Sequence, residues 1–270
     1  MQDQTQQCID ILRARGVGAP VETAVILGTG LGAFADEAEG TVDVPYADLP
    51  GFPKSNVSGH AGRLVIGAIE GRRVALLQGR SHYYERGDAR AMAAPVEVLK
   101  ALGVRRLILT NAAGSLHVNW PPGSFVALRD HINYAGMNPL IGVASDDRFV
   151  PMTAAYDEKL RAALRRAGAD AGVELHEGVY MWFSGPSFET PAEIKMAKIL
   201  GADLVGMSTV PEVILARRLH MRVAAISLVT NYAAGLLNAS PSHGETKDIA
   251  QAGAAGLKRL LRRFLRAENE

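Results

Sequence analysis

The chain has 270 residues, of which 48% are hydrophobic, and its formal net charge at pH 7 is +1. This length can bury one large core without disulfides, and the single cysteine, Cys8, excludes an internal disulfide. The near-neutral charge argues against a broad nucleic-acid surface, and no apolar run reaches the roughly 18 residues of a membrane span. We therefore expect one domain, residues 1–270, located in a reducing cytoplasm, with no nucleic-acid or membrane partner.

In chain order, the first half of the chain predicts alternating helices and strands. The predicted helices cover residues 2–16, 30–39 and 88–102. The predicted strands cover residues 23–27, 63–69, 73–78, 106–110 and 125–129. The strands on either side of Glu70 and Gly71 predict a β-hairpin, and three prolines make residues 43–53 a loop or an edge segment.

The second half of the chain continues the alternation. The predicted helices cover residues 152–172, 191–200 and 211–219, followed by a final helix from about residue 245. The predicted strands cover residues 177–183, 203–206 and 222–230. Alternating strands and helices predict an α/β fold, and the early hairpin makes the central sheet mixed.

A glycine-rich segment, GTGLGA at residues 28–33, follows the first strand and precedes a predicted helix. It matches the dinucleotide-binding pattern G-x-G-x-x-A, and it equally suits a turn that holds free phosphate through its amides and the Thr29 hydroxyl. The next segment is rich in proline, and no acidic residue ends a clear second strand, which favours the phosphate turn. A purely structural turn is the third interpretation.

Two further segments suit an anion. In QGRSHYYE, residues 78–85, Arg80 and His82 are two positions apart, so an extended backbone puts them on one face. An arginine fork with an imidazole donor suits a phosphate dianion, and a surface ion pair beside a core histidine is the alternative. In TNAAGS, residues 110–115, small side chains after a strand would expose backbone amides to an anion, unless the segment is only a tight turn.

Three segments place small, hydroxyl or amide residues at the ends of predicted strands: GPSFET (185–190), GMSTVPE (206–212) and the pair Thr230-Asn231. An α/β sheet builds ligand pockets at such ends. Glu189 and Asn231 can read the hydrogen-bonding edge of a heterocycle, although singly they suit a helix start and a turn. A heterocycle and an anion in one cleft indicate a phosphorolytic enzyme acting on a nucleoside. No zinc-ligand spacing and no G-x-S-x-G elbow occur, so we expect no metal and no covalent nucleophile.

On these segments the chain resembles the homotrimeric class of purine nucleoside phosphorylases, a family that includes methylthioadenosine phosphorylase. The matching segments run from Val25 to about Leu236 and are VILGTGLG, GHAGRLVIG, QGRSHYYE, LILTNAAGSL, RDHIN, NPL, GPSFETPAE, GADLVGMSTVPEVILAR and SLVTNYAAGL. The resemblance implies a single nucleoside phosphorylase domain with a mixed, partly barrel-like central sheet flanked by helices. It also implies a homotrimer that uses inorganic phosphate as co-substrate and no cofactor.

The resemblance assigns roles by position. The phosphate ligands would be Thr29, His60, Arg80, His82, the Ala112 amide and Ser208. The ribose contacts would be Tyr84, Met207 and His243, together with Phe149 from a neighbouring subunit. The base contacts would be Phe188, Glu189 and Asn231, and the catalytic residues His82, Glu189 and Asn231.

These roles imply that phosphate attacks the anomeric carbon opposite the purine, with inversion, through an oxocarbenium-like transition state. Asn231 would stabilise charge at N7 and O6, and Glu189 would accept the N1 hydrogen, which suits inosine and guanosine. The alternatives are a methylthioadenosine phosphorylase, a nicotinamide-dependent oxidoreductase built on residues 28–33, and a non-catalytic purine-binding module. Asn231 and His243 favour the 6-oxopurine enzyme over the methylthioadenosine enzyme.

Overall fold

The computed structural model describes residues 2–54 and 61–267. Within these residues the strands are β1 Thr23–Leu27, β2 Glu39–Pro45, β3 Arg63–Ile69, β4 Arg72–Gln78, β5 Arg106–Ser115, β6 Phe125–Ile132, β7 Leu175–Trp182, β8 Leu204–Gly206 and β9 Arg222–Tyr232. The α-helices are α1 Gln2–Ala14, α2 Tyr83–Arg86, α3 Ala93–Ala101, α4 Glu158–Asp170, α5 Pro191–Ile199, α6 Val210–Arg218 and α7 His243–Ala267. Short 3-10 helices lie at Gly32–Glu37, Tyr46–Asp48, Asp146–Arg148 and Leu236–Asn238.

The described strands form one mixed sheet in the order β2-β3-β4-β1-β5-β8-β7-β6-β9. Because β5 also pairs with β9, the strands β5, β8, β7, β6 and β9 close into a ring. The strands β1, β4, β5 and β9 run parallel, whereas β2, β3 and β4 form an antiparallel meander at the open edge. The expectation of a mixed, partly barrel-like sheet is confirmed.

Helices cover both faces of the sheet. The C-terminal helix α7 buries Leu257, Leu261 and Phe264, which recur every three to four residues and so lie along one stripe. This stripe packs against α4 and β9, while α1, α3 and α6 contribute to the larger core on the other side of the sheet. None of the described helices has the length and apolar character that a membrane span requires.

Several predicted elements are wrong in kind or extent. The predicted helix at residues 30–39 is a 3-10 helix that leads into the edge strand β2, and the short helix α2 was not predicted. The predicted helix at residues 152–172 begins only at Glu158, because the carboxylate of Asp157 caps it by accepting from the Leu160 amide at 2.9 Å.

Two of the strands that are longer than predicted, β5 and β9, extend into the candidate site. The strand β5 continues through Ser115 and β9 through Tyr232, since the two strands pair with each other along this stretch. The small residues at 110–115 and the pair Thr230-Asn231 therefore lie within strands, not in turns that follow them.

Candidate active site

A cavity lies at the carboxyl ends of the parallel strands β1, β4, β5 and β9. Clefts at such strand ends are the usual ligand sites of α/β sheets. The predicted site residues that line it are Thr29, Arg80, His82, Tyr84, Ala112, Phe188, Glu189, Met207, Ser208, Asn231 and His243. His60 lies outside the described residues, and Phe149 does not line the cavity.

The cavity opens where β5 lacks a neighbour on one side. The strand β1 pairs with β5 as far as Leu109, and β8 pairs with it only from Gly114 onward. Residues 110–113 between these points pair only with β9, so their other backbone edge is open. A ligand can therefore approach the backbone at Ala112, as expected for an anion that is bound by main-chain amides.

The turn at Gly28 brings Thr29 close to β5. The Gly28 amide donates to the Thr110 hydroxyl at 2.8 Å, and that hydroxyl donates to the Ile26 carbonyl at 3.0 Å. A Cβ atom at position 28 would lie 2.6 Å from the Thr110 carbonyl oxygen, so only glycine fits here. Close packing of the turn on β5 is what puts Thr29 in the cavity wall.

This turn does not form a dinucleotide site. A 3-10 helix follows β1, and the next strand, β2, pairs with β3 at the far edge of the sheet and not beside β1. The βαβ unit that a dinucleotide fold requires is therefore missing from this described stretch. The oxidoreductase alternative is wrong.

Arg80 is almost completely buried, with 1% of its surface exposed, and its guanidinium is held by several neighbours. Its Nη1 donates to the Ser208 hydroxyl at 3.0 Å and to the Thr209 hydroxyl at 3.1 Å, and Nη2 donates to the Thr110 carbonyl at 2.8 Å. Its Nε lies 3.4 Å from a carboxylate oxygen of Glu212, which is also buried. One N–H of Nη2 is left for a ligand, so Arg80 does not present the bidentate fork that was predicted.

At the end of the cavity near Ser208, the preference for an anion would therefore come mainly from fixed dipoles. The charge of Arg80 is paired with that of Glu212, whereas Ser208 lies just before the N-terminus of α6. A helix N-terminus favours negative charge, and hydroxyl and amide donors add to that preference. Such preorganised donors stabilise charge without having to reorganise during reaction.

Residues that follow closely in the chain hold His82 in position. It precedes the short helix α2, its amide donates to the Glu85 carboxylate at 2.7 Å, and its ring Nδ1 lies 3.4 Å from the same oxygen. The ring of Tyr84 stacks on the imidazole at 4.9 Å between centroids. Burial raises the pKa of Tyr84, so its hydroxyl stays protonated and can act as a donor at neutral pH.

Glu189 is buried and lies between β7 and α5, just before Thr190, whose hydroxyl caps α5. Burial raises the pKa of Glu189, and the neighbouring carboxylate of Glu193 raises it further. Among the described residues, the carboxylate oxygen Oε1 of Glu189 has no hydrogen-bond partner. A buried acceptor without a partner inside a ligand-sized cavity is suited to a donor on the ligand.

A β-bulge directs Asn231 into the cavity. The register between β5 and β9 shifts after Ala113, which pairs with Val229, so that Gly114 pairs with Asn231 and Thr230 is the extra residue. Bulges of this kind change the direction of a side chain and are common beside active sites.

Two contacts then fix the amide of Asn231. Its Oδ1 accepts from the Thr230 hydroxyl at 3.0 Å, and its Nδ2 donates to the Tyr232 carbonyl at 2.9 Å. A Cβ atom at position 114 would lie 3.0 Å from this Nδ2, so Gly114 makes the space for the amide. The second N–H of Nδ2 is left to donate to a ligand.

Phe149 lies on a surface loop away from the cavity. It is 74% exposed, and the Arg148 guanidinium stacks over its ring at 4.9 Å. Ile141 and Tyr134 are exposed apolar residues of the same connection between β6 and α4. Phe149 therefore does not contact the cavity of its own chain, and its contact with a neighbouring subunit stays a prediction.

Several residues that contribute to the site were not predicted. The cavity is also lined by Asn111, Gly114 and Thr230. Arg80 donates a hydrogen bond to Thr209 and forms an ion pair with Glu212, and neither of these two residues lines the cavity. All five belong to segments that the sequence had singled out. The direction of each side chain depends on the β5–β9 register and on the turn before α6, which the sequence pattern does not show.

Comparisons with known proteins agree with this geometry. The phosphorylase superfamily matches residues 22–266. The chain is 44% identical over 264 residues to purine nucleoside phosphorylase 1 of Geobacillus stearothermophilus, covering 97% of this chain and 96% of that protein. Solved structures of Schistosoma mansoni purine nucleoside phosphorylase with inosine and with adenosine are 34% and 35% identical, each with a TM-score of 0.90, covering 98% of this chain and 96% of theirs. The chain belongs to the phosphorylase superfamily and, within it, to the purine nucleoside phosphorylase family.

Proposed function

We propose that this purine nucleoside phosphorylase acts on 6-oxopurine nucleosides such as inosine and guanosine. The products are the free base and α-ribose 1-phosphate, or the corresponding deoxyribose phosphate, and the reaction is reversible. One observation carries this proposal: Glu189 and Asn231 line the same cavity as Thr29, Arg80 and Ser208. A base-reading pair and an anion site are thus within the span of one nucleoside.

The phosphate site acts through donors. Thr29, Ser208, the Ala112 amide and one N–H of Arg80 hold the dianion, and His82 adds an imidazole donor. His60 would complete the set. The bound dianion attacks the anomeric carbon from the face opposite the base and stabilises the cationic sugar electrostatically.

The base site recognises the leaving group. The free N–H of Asn231 donates to N7 or O6 as negative charge develops there, because Thr230 and Tyr232 hold the amide in this orientation. The unpartnered oxygen of Glu189 accepts the N1 hydrogen of a 6-oxopurine. Adenine has no N1 hydrogen and would place an acceptor against this carboxylate, which is a mismatch between buried polar groups. Phe188 packs on the base.

The sugar is held between these two ends. Tyr84, Met207 and His243 line the cavity, and His243 is the first residue of α7. The neutral phenol of Tyr84 is a donor for a ribose hydroxyl, and His243 would bind the 5′-hydroxyl. An imidazole there also suits a hydroxyl better than the thioether of methylthioadenosine.

The functional unit is proposed to be a homotrimer in the cytoplasm. The exposed Phe149, together with Ile141 and Tyr134, supplies an apolar surface that a second copy of the chain would cover. Phe149 then reaches the ribose site of the neighbouring subunit. The reaction needs no cofactor, since phosphate supplies the nucleophile.

The nucleoside preference tests this proposal. Base release from inosine, guanosine, xanthosine, adenosine and methylthioadenosine should be measured with saturating phosphate. We expect kcat/KM for inosine to exceed that for adenosine by about a hundredfold or more, on the scale of sites built around matched polar groups. Comparable efficiency on the two nucleosides would show that Glu189 and Asn231 do not read the base.

A further inference from the structure

Thr209 adopts a backbone conformation that is costly for its residue type. Its φ is 75° and its ψ is −51°, and the Val210 amide donates across it to the Ser208 carbonyl at 2.8 Å. This is a γ-turn with positive φ, which is rare and strained, above all for a β-branched residue. Strain of this kind persists where the surroundings require it, and it is frequent at functional sites.

The Thr209 hydroxyl is not used to cap the helix that it precedes. Thr209 is the N-cap of α6 and is completely buried, yet its side chain accepts no hydrogen bond from the helix backbone. It accepts instead from Arg80 Nη1 at 3.1 Å and from Asn111 Nδ2 at 2.9 Å. Its third neighbour is the Ser208 hydroxyl at 3.0 Å.

With the amide nitrogen of Asn111 directed at Thr209, the count of donors and acceptors gives the direction of these bonds. A hydroxyl has two acceptor lone pairs and one proton, so Thr209 has only its proton left once Arg80 and Asn111 have donated to it. That proton goes to Ser208 Oγ, which also accepts from Arg80 Nη1 at 3.0 Å. Both lone pairs of Ser208 are then occupied, and Ser208 can act toward a ligand only as a donor.

Tyr180 is the other polar group beside Ser208. Its hydroxyl accepts the Ser208 amide at 3.2 Å and also makes a hydrogen bond with the Ser208 side chain, and burial raises the pKa of Tyr180, so it stays a neutral phenol. Because Ser208 lines the cavity, an anion bound there can accept the Ser208 proton in place of Tyr180. Thr209 itself does not line the cavity.

We propose that Thr209 is a positioning residue for phosphate, which acts by orienting the Ser208 hydroxyl as a permanent donor and by holding Arg80 and Asn111 in place. This inference rests on the proposed function, because it assumes that the anion at Ser208 is the attacking phosphate. It gives the threonine a role at a position where glycine would relieve the positive φ. Glycine would remove the hydroxyl on which the donor pattern depends.

Three variants of Thr209 distinguish the effect of its hydroxyl from the effect of its strained backbone. Thr209→Val removes the hydroxyl and keeps the shape, Thr209→Gly removes the hydroxyl and relieves the strain, and Thr209→Ser keeps the hydroxyl. Thr153→Val is the matched control, since Thr153 is exposed and does not line the cavity. The readouts are KM for phosphate, KM for inosine, kcat and Tm for each variant.

We expect Thr209→Val and Thr209→Gly to raise KM for phosphate about ten- to hundredfold, the scale of one hydrogen bond to a charged group, with KM for inosine changed less than about threefold. Thr209→Ser and Thr153→Val should stay close to the parent protein. A purely structural role predicts instead that both KM values change together and follow Tm. Wild-type phosphate affinity in Thr209→Gly would overturn the proposal.

Calorimetric titration with inorganic phosphate alone keeps this test independent of turnover. If the parent protein binds phosphate but does not cleave inosine, the proposed function fails, and the phosphate affinities of the variants still decide the role of Thr209. If the parent protein cleaves inosine and the Val and Gly variants bind phosphate as it does, only the inference about Thr209 fails. A parent protein that binds no phosphate contradicts both.

Discussion

At the residue scale, the site depends on polar groups whose bonding capacity is almost fully used by the protein. Arg80 keeps one N–H for a ligand, Asn231 keeps one, and Ser208 keeps its proton. Glu189 differs from these donors, because its buried carboxylate oxygen Oε1 is an acceptor without a hydrogen-bond partner among the described residues. Each group can therefore make only one kind of bond to the substrate, which gives the cavity a defined pattern of donors and acceptors.

The first prediction concerns Glu189 and pH. Because burial raises its pKa, the folded state holds its proton more tightly than the unfolded state does. This contribution to stability is fully present below the unfolded pKa of about 4.3 and is lost as pH rises through the folded pKa. Glu189→Gln has no such loss, so its Tm relative to that of the parent protein should rise as the pH increases above about 4.

The same variant should lose activity, since a neutral amide is a weaker acceptor for the N1 hydrogen of inosine. Thermal melts and inosine kinetics on the same samples test both effects. Glu39→Gln is a control, because Glu39 is exposed on the edge strand β2 and does not line the cavity. If the Tm difference between Glu189→Gln and the parent protein does not depend on pH, the pKa of Glu189 is not raised in the folded state.

The second prediction concerns the buried pair of Arg80 and Glu212. Arg80→Met leaves the Glu212 carboxylate buried and unpaired, which costs about 3–5 kcal/mol of unfolding free energy. Arg80→Met combined with Glu212→Gln should recover much of this loss but not the affinity for phosphate. Denaturant titrations and KM for phosphate distinguish the two effects. Recovery of phosphate affinity in the double variant would show that Arg80 serves only to balance Glu212.

At the element scale, the pairing of β5 with β9 creates the proposed base site. The bulge at Thr230 turns Asn231 toward the cavity, and Gly114 on the paired strand leaves space for its amide. The gap between β1 and β8 exposes the backbone of β5 to the cavity, where we propose that phosphate binds. Strand register, and not a flexible loop, therefore sets the distance between the two halves of the site.

The third prediction tests this register. The new methyl group in Gly114→Ala would lie 3.0 Å from Nδ2 of Asn231 and 3.2 Å from Val205, so the amide must move. Misplacement by a fraction of an ångström should lower kcat for inosine about tenfold or more, with a much smaller effect on KM for phosphate. The matched control is Gly18→Ala, where a Cβ atom meets nothing within 4 Å. Equal kcat values in the two variants would show that the reaction does not depend on the position of the Asn231 amide.

The β5–β9 extension also shows what the sequence can predict at this scale. The segments 110–115, 185–190, 206–212 and 230–231 do line one cavity, because apolar runs followed by small polar residues mark the carboxyl ends of strands. The continuation of β5 and β9 through these residues was not predicted, since small and amide residues are typical of turns and the pairing links positions far apart in the chain. The γ-turn at Thr209 has no sequence signature, because threonine is among the residues that disfavour positive φ.

At the scale of the whole molecule, one sheet joins an open meander to a closed ring, and the cavity lies where they meet at β5. The helices cover both faces of this sheet and leave the connection between β6 and α4 with several exposed apolar residues. An apolar surface outside the catalytic cavity is typical of association.

The fourth prediction concerns that association. Sedimentation should give three times the mass of the chain, and Phe149→Ala should raise KM for inosine without changing KM for phosphate. Ile199→Ala is a control for the loss of an exposed apolar side chain, since Ile199 is 85% exposed at the end of α5. A fully active monomer would contradict a shared site, and unchanged inosine kinetics in Phe149→Ala would remove Phe149 from it.

The requirement for phosphate distinguishes a phosphorylase from a hydrolase, because phosphorolysis and hydrolysis release the same base. Inosine should be incubated with the protein in phosphate-free buffer and in buffer with phosphate, and hypoxanthine and ribose 1-phosphate measured in both. We predict that base appears only with phosphate and that one ribose 1-phosphate forms per base released, since the donors at Thr29, Ala112 and Ser208 are arranged for an anion. Equal base release in the two buffers, with free ribose as the product, would contradict the account.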